Sequence, residues 1–175
     1  MQLAWRSIGT CMTIQRRSYE TGHKPKCLVI VDDTAEWDRA VYYASRWAMR
    51  AGGGVVMLRI IETEDQNQQW LGVADIMRAE ALEDANAALD RASGRVNGIA
   101  AITPERVIRE GDSTEQMIDV IEKDVDISML VLAASPGPEG PGPIISAMAN
   151  AVGSFPIPVI IVPGDLSDAE IDALS

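Results

Sequence analysis

Near its C-terminal end the sequence reads DISMLVLAASPGPEGPGPIISAMANAVGSFPIPVIIVPG, Asp126 to Gly164, and this stretch constrains the fold more than any other. Its two apolar runs, Ile127–Ala133 and Ile157–Val162, are short, rich in Val, Ile and Leu, and bounded by turn residues. Uninterrupted runs of this kind suit strands of a parallel sheet covered on both faces. Between them a loop rich in proline and glycine leads into a helix. Gly142 and Pro143 can start it, because proline in the first turn lacks only an N–H that has no intrahelical acceptor. Ile145, Met148, Ala149 and Val152 recur on one face, and Gly153 is placed to end the helix. In an open α/β sheet, the loop beyond a strand's C-terminal end is where ligands bind.

The rest of the chain repeats this alternation. Cys27–Val31 reads as a first strand ending at Asp32-Asp33-Thr34, with Asp33 and Glu36 spaced as a capping box. Trp37, Ala40, Val41, Ala44, Trp47, Ala48 and Ala51 then form an apolar stripe, stopped by Gly52-Gly53-Gly54. Val55–Ile61 is a second strand. A polar loop carries Trp70, either a partner contact or an anchor for the loop. Ile76, Ala79, Leu82, Ala85, Leu89, Ala92 and Val96 define a long second helix with Gly94 near its end. Glu105–Arg109 is a weaker third strand. Ser113 and Gln116 form a further capping box, and Met117, Ile118, Ile121 and Val125 a buried face. Ser167 and Glu170 cap a small last helix ending at Leu174. Alternating strands and helices with short links predict an α/β fold, a doubly wound five-stranded parallel sheet with helices on both faces.

Charge excludes several functions. Residues 1–26 carry Arg6, Arg16, Arg17, Lys24 and Lys26 against Glu20 alone, a net of +4 in a chain of −11, so the remainder carries −15. A body that acidic does not suit contact with a nucleic-acid backbone. No run approaches the roughly 18 apolar residues of a membrane span. Cys11 and Cys27 form no ligand or redox spacing, and Cys27 reads as a small buried residue, which fits a reducing, cytoplasmic compartment. His23 is the one histidine and stands in the basic leader, so neither a metal site nor a Ser-His-Asp or Cys-His set is expected. Residues 1–25 are expected to form a loosely attached arm, removable at a cost of roughly 1 kcal/mol or less, with 26–175 as the domain. Met12 is an alternative first residue.

The blocks VIVDDTAEWDRAVYYASRWA, VVMLRII, REGDSTEQMIDVIEKDVDISMLVLAAS and FPIPVIIVPG resemble, in order, those of the universal stress protein family over residues 26 to 164. The resemblance implies a flavodoxin-like sheet of strand order 3-2-1-4-5, homodimers and a role in surviving stress; some members bind ATP and others do not. ATP-binding members carry Gly-x-x-Gly, a spacer and then Gly-Ser or Gly-Thr after strand four. Here the first motif is replaced by Ala133-Ala134-Ser135-Pro136, and Ile145-Ser146 stands where Gly-Ser would open the helix. Gly140 and Gly142 offer a phosphate loop shifted along the chain. Pro136, Pro138, Pro141 and Pro143, however, remove half the amide donors of residues 136–143. Asp32 matches the family aspartate near the nucleotide ribose and Ile60 the strand-two position beside the adenine. The candidate site is therefore Asp32, Asp33, Ile60, Ala133, Gly140, Gly142 and Ser146, with Asp32-Asp33 also readable as helix capping and Ser146 as a first-turn helix residue.

Three readings follow. The first is a non-catalytic, dimeric stress protein acting through protein contacts, without a cofactor. The second is a regulatory module that binds ATP or AMP with an altered loop. The third is a small α/β enzyme at the same crevice, disfavoured because no basic or histidine residue is expected there. Ile157–Val162 would be an uncharged sheet edge, and the resemblance implies pairing with the same strand of a second copy. Lysine at Ile160 is expected to give a monomer.

Overall fold

Alternate residues of the strands point to opposite faces, and here both faces are covered. The computed structural model describes residues 14–62, 71–149, 153 and 155–175. Along it run β1 (Lys26–Ile30), α1 (Trp37–Ala51), β2 (Gly54–Ile61), α2 (Leu71–Ala100), β3 (Glu105–Glu110), α3 (Ser113–Lys123), β4 (Ile127–Ala134), α4 (Pro143–Met148), β5 (Val159–Pro163) and α5 (Asp168–Leu174). The five strands are parallel in the order β3-β2-β1-β4-β5, as the sequence predicts. Cys27, Val29 and Val31 enter a core closed by α1, the C-terminal half of α2 and Ile171 of α5. Leu28 and Ile30 enter a second core with Met117 and Ile121 of α3 and Met148 of α4. Cys27 is fully buried, and loss of solvent pushes its thiol up to about 12, which makes it a packing residue and not a nucleophile. Among the described residues no helix is long and apolar enough to cross a membrane.

The glycine run after α1 acts through two different requirements. Gly52 takes a left-handed conformation and its N–H caps the Ala48 carbonyl. At Gly53 a Cβ would come within 2.4 Å of the Pro25 carbonyl oxygen, so only hydrogen fits there.

Several boundaries differ from expectation for identifiable reasons. α1 has no capping box: Glu36 is its N-cap without a side-chain bond, while Asp32 Oδ1 accepts from Thr34 N and Oγ1 at 3.0 and 2.5 Å. The short polar turn after β1 satisfies itself locally, which leaves Asp33 for Arg59. In α3 the cap is Asp112, which accepts from Glu115 N at 2.9 Å, one residue before the expected Ser113. Val120 joins Met117 and Ile121 on the buried face, while Ile118 and Val125 are only half-buried. The expected box at Ser167 and Glu170 is formed reciprocally. α2 runs through Gly94 to Ala100, and from residue 75 on its first buried residue is Ala85. Ile76 and Ala79 are exposed because the N-terminal half of this helix extends past the strands it covers. α4 ends at Met148, short of the expected Val152, which lies outside the described residues. Trp70 and Cys11 also lie outside them.

β5 starts two residues later than expected, since Pro158 has no N–H to donate; its carbonyl accepts from Leu130 N at 2.9 Å. Ile160 packs against the α1-side core, whereas Ile161 is 48% exposed on the edge strand. Lysine at Ile160 would therefore disturb the core, and Ile161 is the position that reports on edge pairing.

Residues 14–25 are not the loose arm expected. Arg16 Nη1 donates to the carbonyls of Ile121 and Asp124 at 2.5 and 2.9 Å, where α3 ends with unsatisfied acceptors. Ser18, 2% exposed, donates to the Asp126 carbonyl at 2.9 Å, and Arg17 N donates to that of Val125 at 3.1 Å. His23 Nδ1 lies 2.6 Å from Asp126 Oδ1. This strap binds chiefly backbone carbonyls of the α3–β4 turn. That is why a charge count over the leader, opposite in sign to the body, did not show how it attaches.

Candidate functional site

The strand order reverses between β1 and β4, so the loops leaving their C-terminal ends run to opposite sides and leave a crevice, the position where α/β sheets of this kind bind ligands. It has two unlike halves. Over β1 and β2 lies an open groove of about 550 Å³, walled by Asp32, Asp33, Arg59, Ile60, Glu62 and, across it, Ala81 and Asp84 of α2 and Ser113 of α3. That volume falls within the range of small-molecule sites. Over β4 the crevice narrows to about 10 Å³ between Asp32, Glu36, Trp37, Ala133, Gly142 and Ile145, room for about one water molecule.

Five of the seven sequence-chosen residues meet here. Asp32 lines both halves, Asp33 and Ile60 the open one, Ala133 and Gly142 the narrow one. Gly140 and Ser146 line neither. Gly140 belongs to the turn of the Pro/Gly loop, its N–H donating to the Gly137 carbonyl at 3.4 Å. Ser146 is exposed, and its Oγ donates to the Gly142 carbonyl at 2.7 Å, a first-turn bond within α4.

Arg59 was missed. It sits in the otherwise apolar run VVMLRII, and a lone cation inside a buried strand was the available signal. Its guanidinium donates to the Val31 carbonyl at 3.1 Å and to Asp33 Oδ2 at 2.6 Å, and its side chain is 13% exposed. Among the described residues the crevice thus holds one cation, already paired, among Asp32, Asp33, Glu36, Glu62 and Asp84. Ser113 Oγ donates to Glu62 Oε1 at 2.7 Å, tying the start of α3 to the end of β2. The lining described contains no histidine, cysteine or lysine.

The Pro/Gly loop folds back on itself. Ser135 N donates to the Pro141 carbonyl at 3.2 Å, and Gly137 N approaches Ser135 Oγ at 3.5 Å. With Gly140 N bonded to Gly137, these amides are directed inward. Behind the loop Gly164 N donates to the Ala134 carbonyl at 2.8 Å, and a Cβ on Gly164 would stand 2.6 Å from that oxygen and 2.9 Å from Glu36 Cβ. This contact joins the ends of β4 and β5 beside Glu36, which lines the narrow half.

A family model described as the universal stress protein family matches residues 25–163. The chain belongs to the universal stress protein family. Its flavodoxin-like fold is also that of solved relatives. UspA from Lactobacillus plantarum is similar with a TM-score of 0.69 and 20% identity, over 79% of this chain and 97% of that one. A universal stress protein solved in complex with cAMP gives 0.58 and 18%, over 79% and 96%. One from Archaeoglobus fulgidus in complex with dAMP gives 0.55 and 15%, over 79% and 97%. A comparison with curated proteins finds no match. The strap before residue 25 and α5 after residue 163 lie outside the family match, and both are packed onto the sheet in this universal stress protein.

Behind the crevice, α5 is held to α1 by charge. Arg39 donates to the Leu166 carbonyl at 3.0 Å and to Asp168 at 2.7 Å, and it also pairs with Asp38. Arg95 donates to Asp38 at 2.8 Å. Burial opposes ionisation of Asp38, but its hydrogen bonds to Arg95 and Arg39 outweigh that and hold its carboxyl below the usual range.

Proposed function

We propose that this universal stress protein is a non-catalytic, cytoplasmic homodimer that acts through protein contacts and does not hold ATP tightly. The observation that carries this is the inward bonding of the Pro/Gly loop. A triphosphate needs several backbone donors aimed at it. Here four prolines remove donors, the Ser135, Gly137 and Gly140 amides turn inward, and the Ser146 hydroxyl bonds Gly142. The acidic lining opposes a polyanion in addition. An uncharged β5 edge with Ile161 exposed supports pairing of two copies through that strand.

Calorimetric titration with Mg-ATP tests the reading. Binding should be no tighter than ~1 mM, about −4 kcal/mol. Micromolar affinity that is abolished by Asp32→Ala would overturn it.

One observation favours a second reading. The groove at Asp32 and Ile60 is open and of nucleoside size, and the relatives solved with cAMP and dAMP carry ligands with a single phosphate. In that case the protein is a regulatory module for a nucleoside or nucleoside monophosphate. Titration with AMP and adenosine beside ATP separates the two readings, because only the second gives saturable binding of the smaller ligands.

A further inference from the structure

At the opposite end of the sheet from the crevice, the strap and the start of β5 enclose a second groove of about 430 Å³. It is lined by Arg16, Ser18, Tyr19 and Glu20 on one side and by Pro156, Ile157 and Pro158 on the other, with Ser128 at its base. Tyr19 is 77% exposed, the largest aromatic surface among the described residues, on a backbone fixed by the bonds of Arg17 N and Ser18 to the α3–β4 turn. Beside it the exposed Arg17 guanidinium reaches Glu20, which lines the groove. A rigid aromatic beside prolines, with a cation at the rim, is a surface suited to a partner that brings a carboxylate.

The position of the groove says what that partner is. When a strand pairs antiparallel with its own copy, the residues before it in one protomer lie beside those after it in the other. Before β5 stand Pro156–Pro158 and the strap; after it stand Gly164, Asp165 and Leu166, leading to α5. The strap is basic, with Arg16, Arg17 and Lys24 against Glu20. Residues 164–175 carry Asp165, Asp168, Glu170 and Asp172 and no lysine or arginine. Asp168 and Asp172 are engaged by Arg39 and Arg46 within the chain, whereas Asp165 is exposed at the turn that would face the groove.

We infer that the strap is a dimer clamp: the groove between Tyr19 and Pro156–Pro158 receives the 164–166 turn of a second copy, with Asp165 of that copy against the Arg17 guanidinium at the groove's rim. Arg17 already pairs with Glu20 at 2.8 Å on the surface, an exchangeable contact. The clamp rests on the reading that two copies pair through β5, and it adds to that edge a surface from outside the family-matched residues.

Sedimentation equilibrium of the full chain over a dilution series tests both. Ile161→Lys should abolish the dimer. Tyr19→Ser, Arg17→Glu and Asp165→Arg should each raise the dimer dissociation constant at least tenfold with an unchanged melting temperature. The double variant Arg17→Glu with Asp165→Arg should recover most of the loss. A monomeric wild type, or a dimer indifferent to Ile161→Lys, removes the β5 reading and the clamp with it. A dimer that needs Ile161 but is unmoved by the Tyr19, Arg17 and Asp165 variants, or a double variant without recovery, overturns the clamp alone.

Discussion

The two ends of the sheet have gone in opposite directions. At the C-terminal end, where the fold leaves a crevice, the loop after β4 is closed by its own bonds and only the β1–β2 half stays open. At the N-terminal end, residues 14–25 are tied across the α3–β4 turn. Backbone groups make the contrast in both places. The amides of the loop after β4 bond within the loop, and carbonyls left over at the end of α3 create a docking point for Arg16.

The largest effect should come from breaking the strapped end. A chain beginning at Lys26, compared with one beginning at Ile14, loses the Arg16, Arg17, Ser18 and His23 contacts and leaves α3 carbonyls without partners. At roughly 1 kcal/mol per hydrogen bond these bonds come to about 5 kcal/mol. That lowers the melting temperature by about 10–20 °C for a domain of this size. A change under 2 °C would show the strap to be incidental.

Gly164→Val attacks the closed half of the crevice. Its Cβ would meet the Ala134 carbonyl and Glu36, a clash with backbone that cannot rotate away, so about 1–3 kcal/mol of stability should be lost in chemical denaturation. Wild-type stability would mean that the β4–β5 contact is looser than its geometry. Opening that half constructively is the converse experiment. Glycine at Ala133, Pro136 and Ile145 together should tighten Mg-ATP at least tenfold, about 1.4 kcal/mol. An affinity that stays put would place the obstacle in the acidic lining instead of the loop.

The smallest effect concerns the first turn of α1, behind the crevice. The carboxyl of Asp38 is held down by Arg95 and Arg39 against the cost of its burial, so its contribution is present above the ordinary carboxylate pKa of about 4. It is lost as pH falls through the lower value of the folded protein. Asp38→Asn should therefore cost more stability at pH 7 than in acid, the penalty shrinking as pH falls, without changing ligand binding. An equal penalty at both pH values would assign the residue a packing role.

The sequence by itself determined the order of elements, the parallel sheet and the family, because apolar runs of strand length and helical stripes are local patterns. It also located Asp32 and Ile60 at the crevice and the prolines that weaken the loop. Caps were legible where the side chains bond within their own turn, as at Ser167 and Glu170. They were misread at Asp33, whose carboxylate goes to Arg59, and at Ser113, whose hydroxyl goes to Glu62. Only the tertiary structure brought Arg59 to Val31, turned Ser146 away from the crevice and laid Arg16 on the carbonyls of α3. Those contacts join residues distant in sequence or end on backbone oxygens. Every residue carries such an oxygen, so no pattern of side chains can mark which of them the fold will leave free.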